Sequence, residues 1–104
     1  MKAIQSNKQF NDLVASGKPF VLDFYADWCG PCQALLPTVE KLADEFAGKV
    51  EIVKVNIDKQ RDLAQKFQVR SIPSLFFMEH NKIKSSLKGM TTETELRKRI
   101  TALA

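Results

Sequence analysis

The stretch Pro19-Phe-Val-Leu-Asp-Phe-Tyr-Ala-Asp-Trp-Cys-Gly-Pro-Cys32 changes character in its middle. Its first eight residues, through Ala26, are apolar almost throughout, the pattern of a strand buried on both faces. Pro31 then suits a first helical turn, where its missing N–H would have had no partner. A helical pattern runs on from about Pro31 to Ala47, with Gly48 placed to end it. A strand with both faces buried needs a layer on each side, so this segment alone points to an α/β fold.

Working outward, residues 2–4 can form a short first strand. Ser6 with Gln9 fits a capping box for a helix that stops near Gly17. Val50–Asn56 reads as a second central strand, and a short helix covers about Arg61–Phe67. Ser74–Met78 is a further apolar strand, and Lys82–Lys88 follows it after a tight Glu79–Lys82 turn. Thr92 with Glu95 caps a final helix ending near Leu103. The order βαβαβαββα combines early parallel pairing with a terminal antiparallel hairpin. The expectation is a three-layer α/β/α sandwich. It has a mixed central sheet of four to five strands flanked by about four helices. Residues 1–104 form one domain, without repeats or low-complexity linkers.

At 104 residues and 44% apolar content, the chain can bury a core without disulfide staples. Its only two cysteines are three residues apart, so a bridge between them removes little entropy from the unfolded chain. Such cysteine usage suits a reducing compartment. No apolar run approaches the roughly 20 residues needed to span a bilayer, and the first twenty residues hold no signal-peptide core. Cytoplasmic residence is therefore expected, with a mature exported form left open, and no membrane partner. Residues 1–80 carry ten Lys/Arg and ten Asp/Glu, whereas residues 81–104 carry six and two and hold the whole excess of +4. Lys82, Lys84 and Lys88 read as lysines guarding a sheet edge. Arg97, Lys98 and Arg99 read as cations near a helix C-terminus, where they complement the dipole. The alternative is a surface that favours acidic partner proteins. Nucleic acid is not expected, because no aromatic residues interleave with the basic ones.

Trp28-Cys29-Gly30-Pro31-Cys32 carries the chemistry. A Cys-x-x-Cys between a buried strand and a helix is a redox motif. Cys29, at or just before the first turn, faces unpaired backbone N–H groups and the positive end of the dipole, which stabilise a thiolate. Only the thiolate attacks a disulfide, so Cys29 is the expected nucleophile, exposed at the surface. Gly30 lets the backbone turn tightly and leaves the sulfur accessible. Cys32, one turn further in, is expected to be more buried and to act as the resolving thiol. Its spacing from Cys29 allows a bridge that forms with slight strain and reduces readily. A zinc site would need more ligands than the lone His80 can add, so no metal is expected.

Asp23-Phe-Tyr-Ala-Asp-Trp-Cys-Gly-Pro-Cys32, Lys54-Val-Asn-Ile-Asp58, Arg70-Ser-Ile-Pro-Ser74 and Lys88-Gly89 together resemble the thioredoxin family. They occur in the family's order over essentially the full length. The resemblance implies a thioredoxin-like fold and thiol–disulfide exchange. Asp23 lies among apolar neighbours, so its pKa should rise toward neutrality. The resemblance gives it the role of moving protons for Cys32 through a water, with Lys54 modulating it. It also implies a cis peptide at Ile72–Pro73 facing the cysteines. Trp28, Ile72, Pro73 and Gly89 then form an apolar rim, beside Gly30 and Pro31, that binds flexible segments of many targets. Pro37 is expected to kink the long helix. The implied partners are disulfide-containing target proteins and a thioredoxin reductase that recycles the oxidised pair. The protein is expected to be a monomer with no bound cofactor besides the Cys29–Cys32 disulfide. Gln33, Ser71 and Ser74 depart from the family's commonest residues, and a glycine expected in the 80–82 turn is absent. An oxidase or isomerase is the competing enzyme class, but it calls for extra positive charge that Gly30-Pro31 does not supply. A non-enzymatic scaffold is the third possibility.

Overall fold

The structure, a computed structural model, describes residues 1–104. Five strands and four helices alternate as β1 (Lys2–Ala3), α1 (Asn7–Ala15), β2 (Phe20–Tyr25), α2 (Gly30–Glu45), β3 (Glu51–Asn56), α3 (Arg61–Lys66), β4 (Ser74–Glu79), β5 (Lys82–Lys88) and α4 (Glu93–Leu103). The strands form one sheet in the order β1-β3-β2-β4-β5. β1 and β2 pair with β3 in parallel; β4 is antiparallel to β2, and β5 to β4. The mixed five-stranded sheet with helices on both faces agrees with the sequence-based architecture.

β2 sits at the centre, and alternation along it divides the core. Phe20, Leu22 and Phe24 point to the α1/α3 side, where they pack with Phe10, Leu63, Phe67 and Phe76. Phe24, Phe67 and Phe76 meet with ring centroids 5.0–5.5 Å apart. Such pairs add about 0.5–1.5 kcal/mol each beyond the area they bury. Val21 points to the opposite side, with Leu35, Val39 and Leu42 of α2 and Leu96 and Ile100 of α4. By the same period, Asp23 lies on the α2/α4 side.

Helix ends follow the capping chemistry. The Ser6 Oγ accepts the Gln9 N–H at 3.1 Å, and the Gln9 side chain accepts the Gln5 N–H at 2.7 Å. The Thr92 hydroxyl accepts the Glu95 N–H at 3.1 Å. α2 runs through Pro37, which has no N–H for the Gln33 carbonyl. Gly48, at φ +85°, turns the chain from α2 into β3. In the β4–β5 turn His80 takes φ +55°, doing a glycine's work at the position where none is present.

Two expectations about the basic segment change. Arg97 and Arg99 sit mid-helix, and no basic residue lies in the last turn of α4. Arg97 instead bonds Glu45 of α2 at 2.7 Å and Glu93 at 3.1 Å, and Arg99 bonds Glu95 at 2.9 Å. Packing of α4 against α2 brings Glu45 within reach, while Glu93 and Glu95 stand one turn back on α4 itself; these acids replace the dipole as partners. On β5, Phe77 opposes Ser85 while Met78 opposes Ile83, so Lys84 is an extra residue in a bulge. The bulge breaks the simple alternation of Lys82, Lys84 and Lys88.

Candidate active site

Parallel pairing of β2 with β3 puts their C-terminal ends side by side. The antiparallel β4 starts at that same end of the sheet. Three connections therefore converge there: residues 26–29 after β2, 57–60 after β3, and 71–73 before β4.

Cys29 is the N-cap of α2, with extended backbone (φ −90°, ψ 105°). Pro31 lies in the first turn behind it. Cys29 and Cys32 are joined by a disulfide, their Cα atoms 5.3 Å apart. The Cys29 Sγ accepts the Cys32 backbone N–H at 3.2 Å. That donor, with the other free N–H groups of the turn, would face the negative charge if Cys29 became a thiolate.

Exposure does not separate the two cysteines as expected. Cys29 is 5% exposed and Cys32 4%. Ala26 packs with both, and Tyr25, Ile57 and Ile72 close over them. The Ile72–Pro73 peptide is cis. The Ile72 carbonyl oxygen lies 3.9 Å from Cys29 Sγ, a contact rather than a hydrogen bond, because a disulfide sulfur carries no proton. What distinguishes Cys29 is its capping position; Cys32 lies inside the first turn.

Asp23 is 3% exposed, on the face of β2 that α2 covers. Burial pushes its pKa up to about 7, and the Lys54 charge opposes that rise. Lys54 stands directly across from it in the β2–β3 register, its Nζ 5.4 Å from the Tyr25 ring centroid.

Trp28 is 70% exposed, yet it is anchored: its Nε1–H donates to Asp58 Oδ2 at 2.8 Å. Asp58 is placed in turn by the buried Asn56, whose Oδ1 accepts the Asp58 and Lys59 N–H groups at 2.9 and 3.3 Å. The sequence reading gave neither Asp58 nor Asn56 a site role. The available signal was the parallel pairing of their strand with β2, which sets the two following loops together.

Gly89 donates its N–H to the Pro73 carbonyl at 2.7 Å, tying the end of β5 to the cis-proline loop. Its φ is +83°, and an added Cβ would meet nothing within 4 Å. Conformation, rather than close approach, requires glycine there. Gly30 has no positive φ and also faces open space, so it is not needed for a tight turn. Ser74 donates its hydroxyl to the Ser71 carbonyl at 2.6 Å, bracing the loop. The structure thus gathers Trp28, Gly30, Pro31, Ile72, Pro73 and Gly89 at the end of the sheet that carries the cysteines, with Asp23 and Lys54 paired two residues back along β2 and β3. No cluster of three or more His, Cys, Asp or Glu side chains is arranged to hold a metal ion.

Comparison with known proteins agrees with this geometry. The sequence profile described as thioredoxin matches residues 2–102. The chain is 43% identical over 84 residues to thioredoxin of Haemophilus influenzae, covering 81% of this chain and 78% of that protein. It is 40% identical over 91 residues to thioredoxin 1 of Chlorobaculum tepidum, covering 86% and 90%. The X-ray structure of Fasciola hepatica thioredoxin superposes over the whole of both chains, with a TM-score of 0.91 and 34% identity. The chain belongs to the thioredoxin family of thiol–disulfide oxidoreductases.

Proposed function

We propose that this protein is a general protein-disulfide reductase, recycled by a thioredoxin reductase. The observation that carries the proposal is Cys29 capping α2, its sulfur held by the Cys32 N–H at 3.2 Å.

In the first step the Cys29 thiolate attacks one sulfur of a target disulfide. A Cys29–target bond forms, the target's own bond breaks, and the departing sulfur takes a proton. In the second step Cys32 loses its proton and attacks the Cys29 sulfur. The Cys29–Cys32 bond forms, and the target leaves as a thiol. The target gains two electrons and two protons, and the dithiol loses them. Asp23, with its pKa raised to about 7, is suited to take the Cys32 proton through a water. Lys54, opposite Asp23, favours its charged form. Trp28, Gly30, Pro31, Ile72, Pro73 and Gly89 serve as the recognition rim.

A monomer is favoured, because the large exposed apolar side chains, Trp28, Ile83 and Met90, are few. No helix is long and apolar enough to cross a membrane. Cytoplasmic residence rests on the cysteine usage, two thiols and both in the redox pair.

Insulin reduction with NADPH and a thioredoxin reductase tests the activity. Turnover should require the reductase and vanish in Cys29→Ser. A Cys32→Ser variant should hold targets from lysate as mixed disulfides on Cys29. Absence of both reductase-dependent turnover and trapped adducts would refute the reading.

A further inference from the structure

The positive charge of residues 81–104 resolves to particular side chains. Arg97 pairs with Glu93 and Glu45, and Arg99 with Glu95. The four remaining cations of the segment, Lys82, Lys84, Lys88 and Lys98, make no ion pair, and three of them lie on β5. β5 is the last strand of the sheet, so its outer side has no neighbouring strand. The Ser86 carbonyl points outward there and takes Arg99 Nη1 at 3.3 Å. Ile83, 52% exposed, adds an apolar foothold on the same strand.

This edge leads into the active site. Lys88 stands opposite Ser74, the residue after Pro73, and Gly89 is bonded to the Pro73 carbonyl. From Lys88 to Lys82 the strand spans about 20 Å at roughly 3.3 Å per residue. An extended chain leaving the rim at Pro73 and running along β5 would meet Lys88, then Lys84, then Lys82. The bulge at Lys84 shifts the alternation so that Lys88 and Lys82 lie on opposite faces of the sheet, and they flank such a chain.

Resting on the reductase reading, we propose that the outer edge of β5 is a docking surface for acidic, extended segments of disulfide-bearing target proteins. Lysines on an open edge repel the same edge of another copy and guard against aggregation. A run of Asp or Glu is the partner that neutralises them. The favoured targets carry acidic residues about three to eight positions from the attacked cysteine, the stretch that β5 spans at its rise per residue.

Two synthetic peptides test this. Each carries one mixed disulfide to a fluorescent thiol, with four Glu or four Gln placed within that window. Pre-reduced protein is mixed with each peptide under single-turnover conditions, without any reductase. Wild type should reduce the Glu peptide about three- to tenfold faster at low salt, the range expected for a few exposed charge pairs. Near 1 M salt, where the screening length is about 3 Å, the advantage should vanish. Lys82→Glu/Lys84→Glu should reverse the preference and leave the Gln peptide's rate unchanged. Lys2→Glu/Lys49→Glu, the same charge change away from β5, should keep the preference. Equal rates for both peptides at low salt would overturn the proposal, as would an equal shift in the two double variants. Failure to reduce either peptide would overturn the reductase reading as well.

Discussion

Replacing Asp23 with Asn keeps the side chain's shape and removes its titrating proton. In the folded protein this carboxyl has its pKa raised from 3.8 to about 7 by burial, against a smaller opposing effect of Lys54. The folded state therefore holds the proton more tightly than the unfolded state. The associated stability is complete below the unfolded value and is lost as pH rises through the window from 3.8 to about 7. A displacement of about 3 pKa units corresponds to about 4 kcal/mol, at 1.36 kcal/mol per unit. At pH 4 the loss is only about 0.6 kcal/mol, and by pH 9 all of it is felt. Asp23→Asn should thus gain stability over wild type as pH rises, by about 4 kcal/mol between pH 4 and pH 9. Urea denaturation of the oxidised proteins at several pH values measures this, and oxidation removes the cysteines from the titration. A stability difference that stays constant with pH would refute the reasoning, because Asp23 would then titrate at its ordinary value when folded.

The same substitution should slow the second chemical step but not the first, so stopped-flow mixing at pH 7 should show mixed disulfide on Cys29 accumulating. In thermal melts Gly89→Ala should cost about 1–2 kcal/mol, since φ is +83° there; Gly30→Ala, with open space at its Cβ, should be neutral or stabilising by about 0.5 kcal/mol. Asp58→Ala frees the indole of Trp28, the chain's only tryptophan, and should lower its fluorescence anisotropy. Phe24→Ala opens a hole among Phe67 and Phe76 and should cost about 3–5 kcal/mol in denaturant titrations.

All nine elements were legible in the sequence, because strand runs such as Pro19–Ala26 and capping pairs such as Ser6/Gln9 are local signals. Site features that depend on position along one element were legible too: Cys29 at a helix start, and Asp23 on a buried strand. Features set by packing between distant segments were not. Part of the cover over Cys29 comes from Ile72, 43 residues away. Arg97 finds Glu45 only after α4 docks on α2, 52 residues apart in the chain. The Lys84 bulge arises from the register of two strands, which neither strand shows alone. The Trp28–Asp58 bond needed β2 and β3 to be recognised as neighbours, a step the pattern allowed but did not force.

The strand order has a consequence for synthesis. β2 is central, but one of its two neighbours, β4, is complete only at Glu79. While a ribosome adds the residues between Tyr25 and Glu79, the emerging Phe-Val-Leu-Asp-Phe-Tyr strand has at least one side unpartnered, and both sides until β3 is complete at Asn56. At translation rates of about 5–20 residues per second that interval lasts roughly 3–10 s. An apolar strand with a free side for so long is a natural hold for a chaperone and a hazard when nascent chains crowd. The loop 71–73, whose Ile72 packs on the cysteines, arrives just ahead of the strand that ends this interval, so the covering of the cysteine pair and escape from that hazard come together.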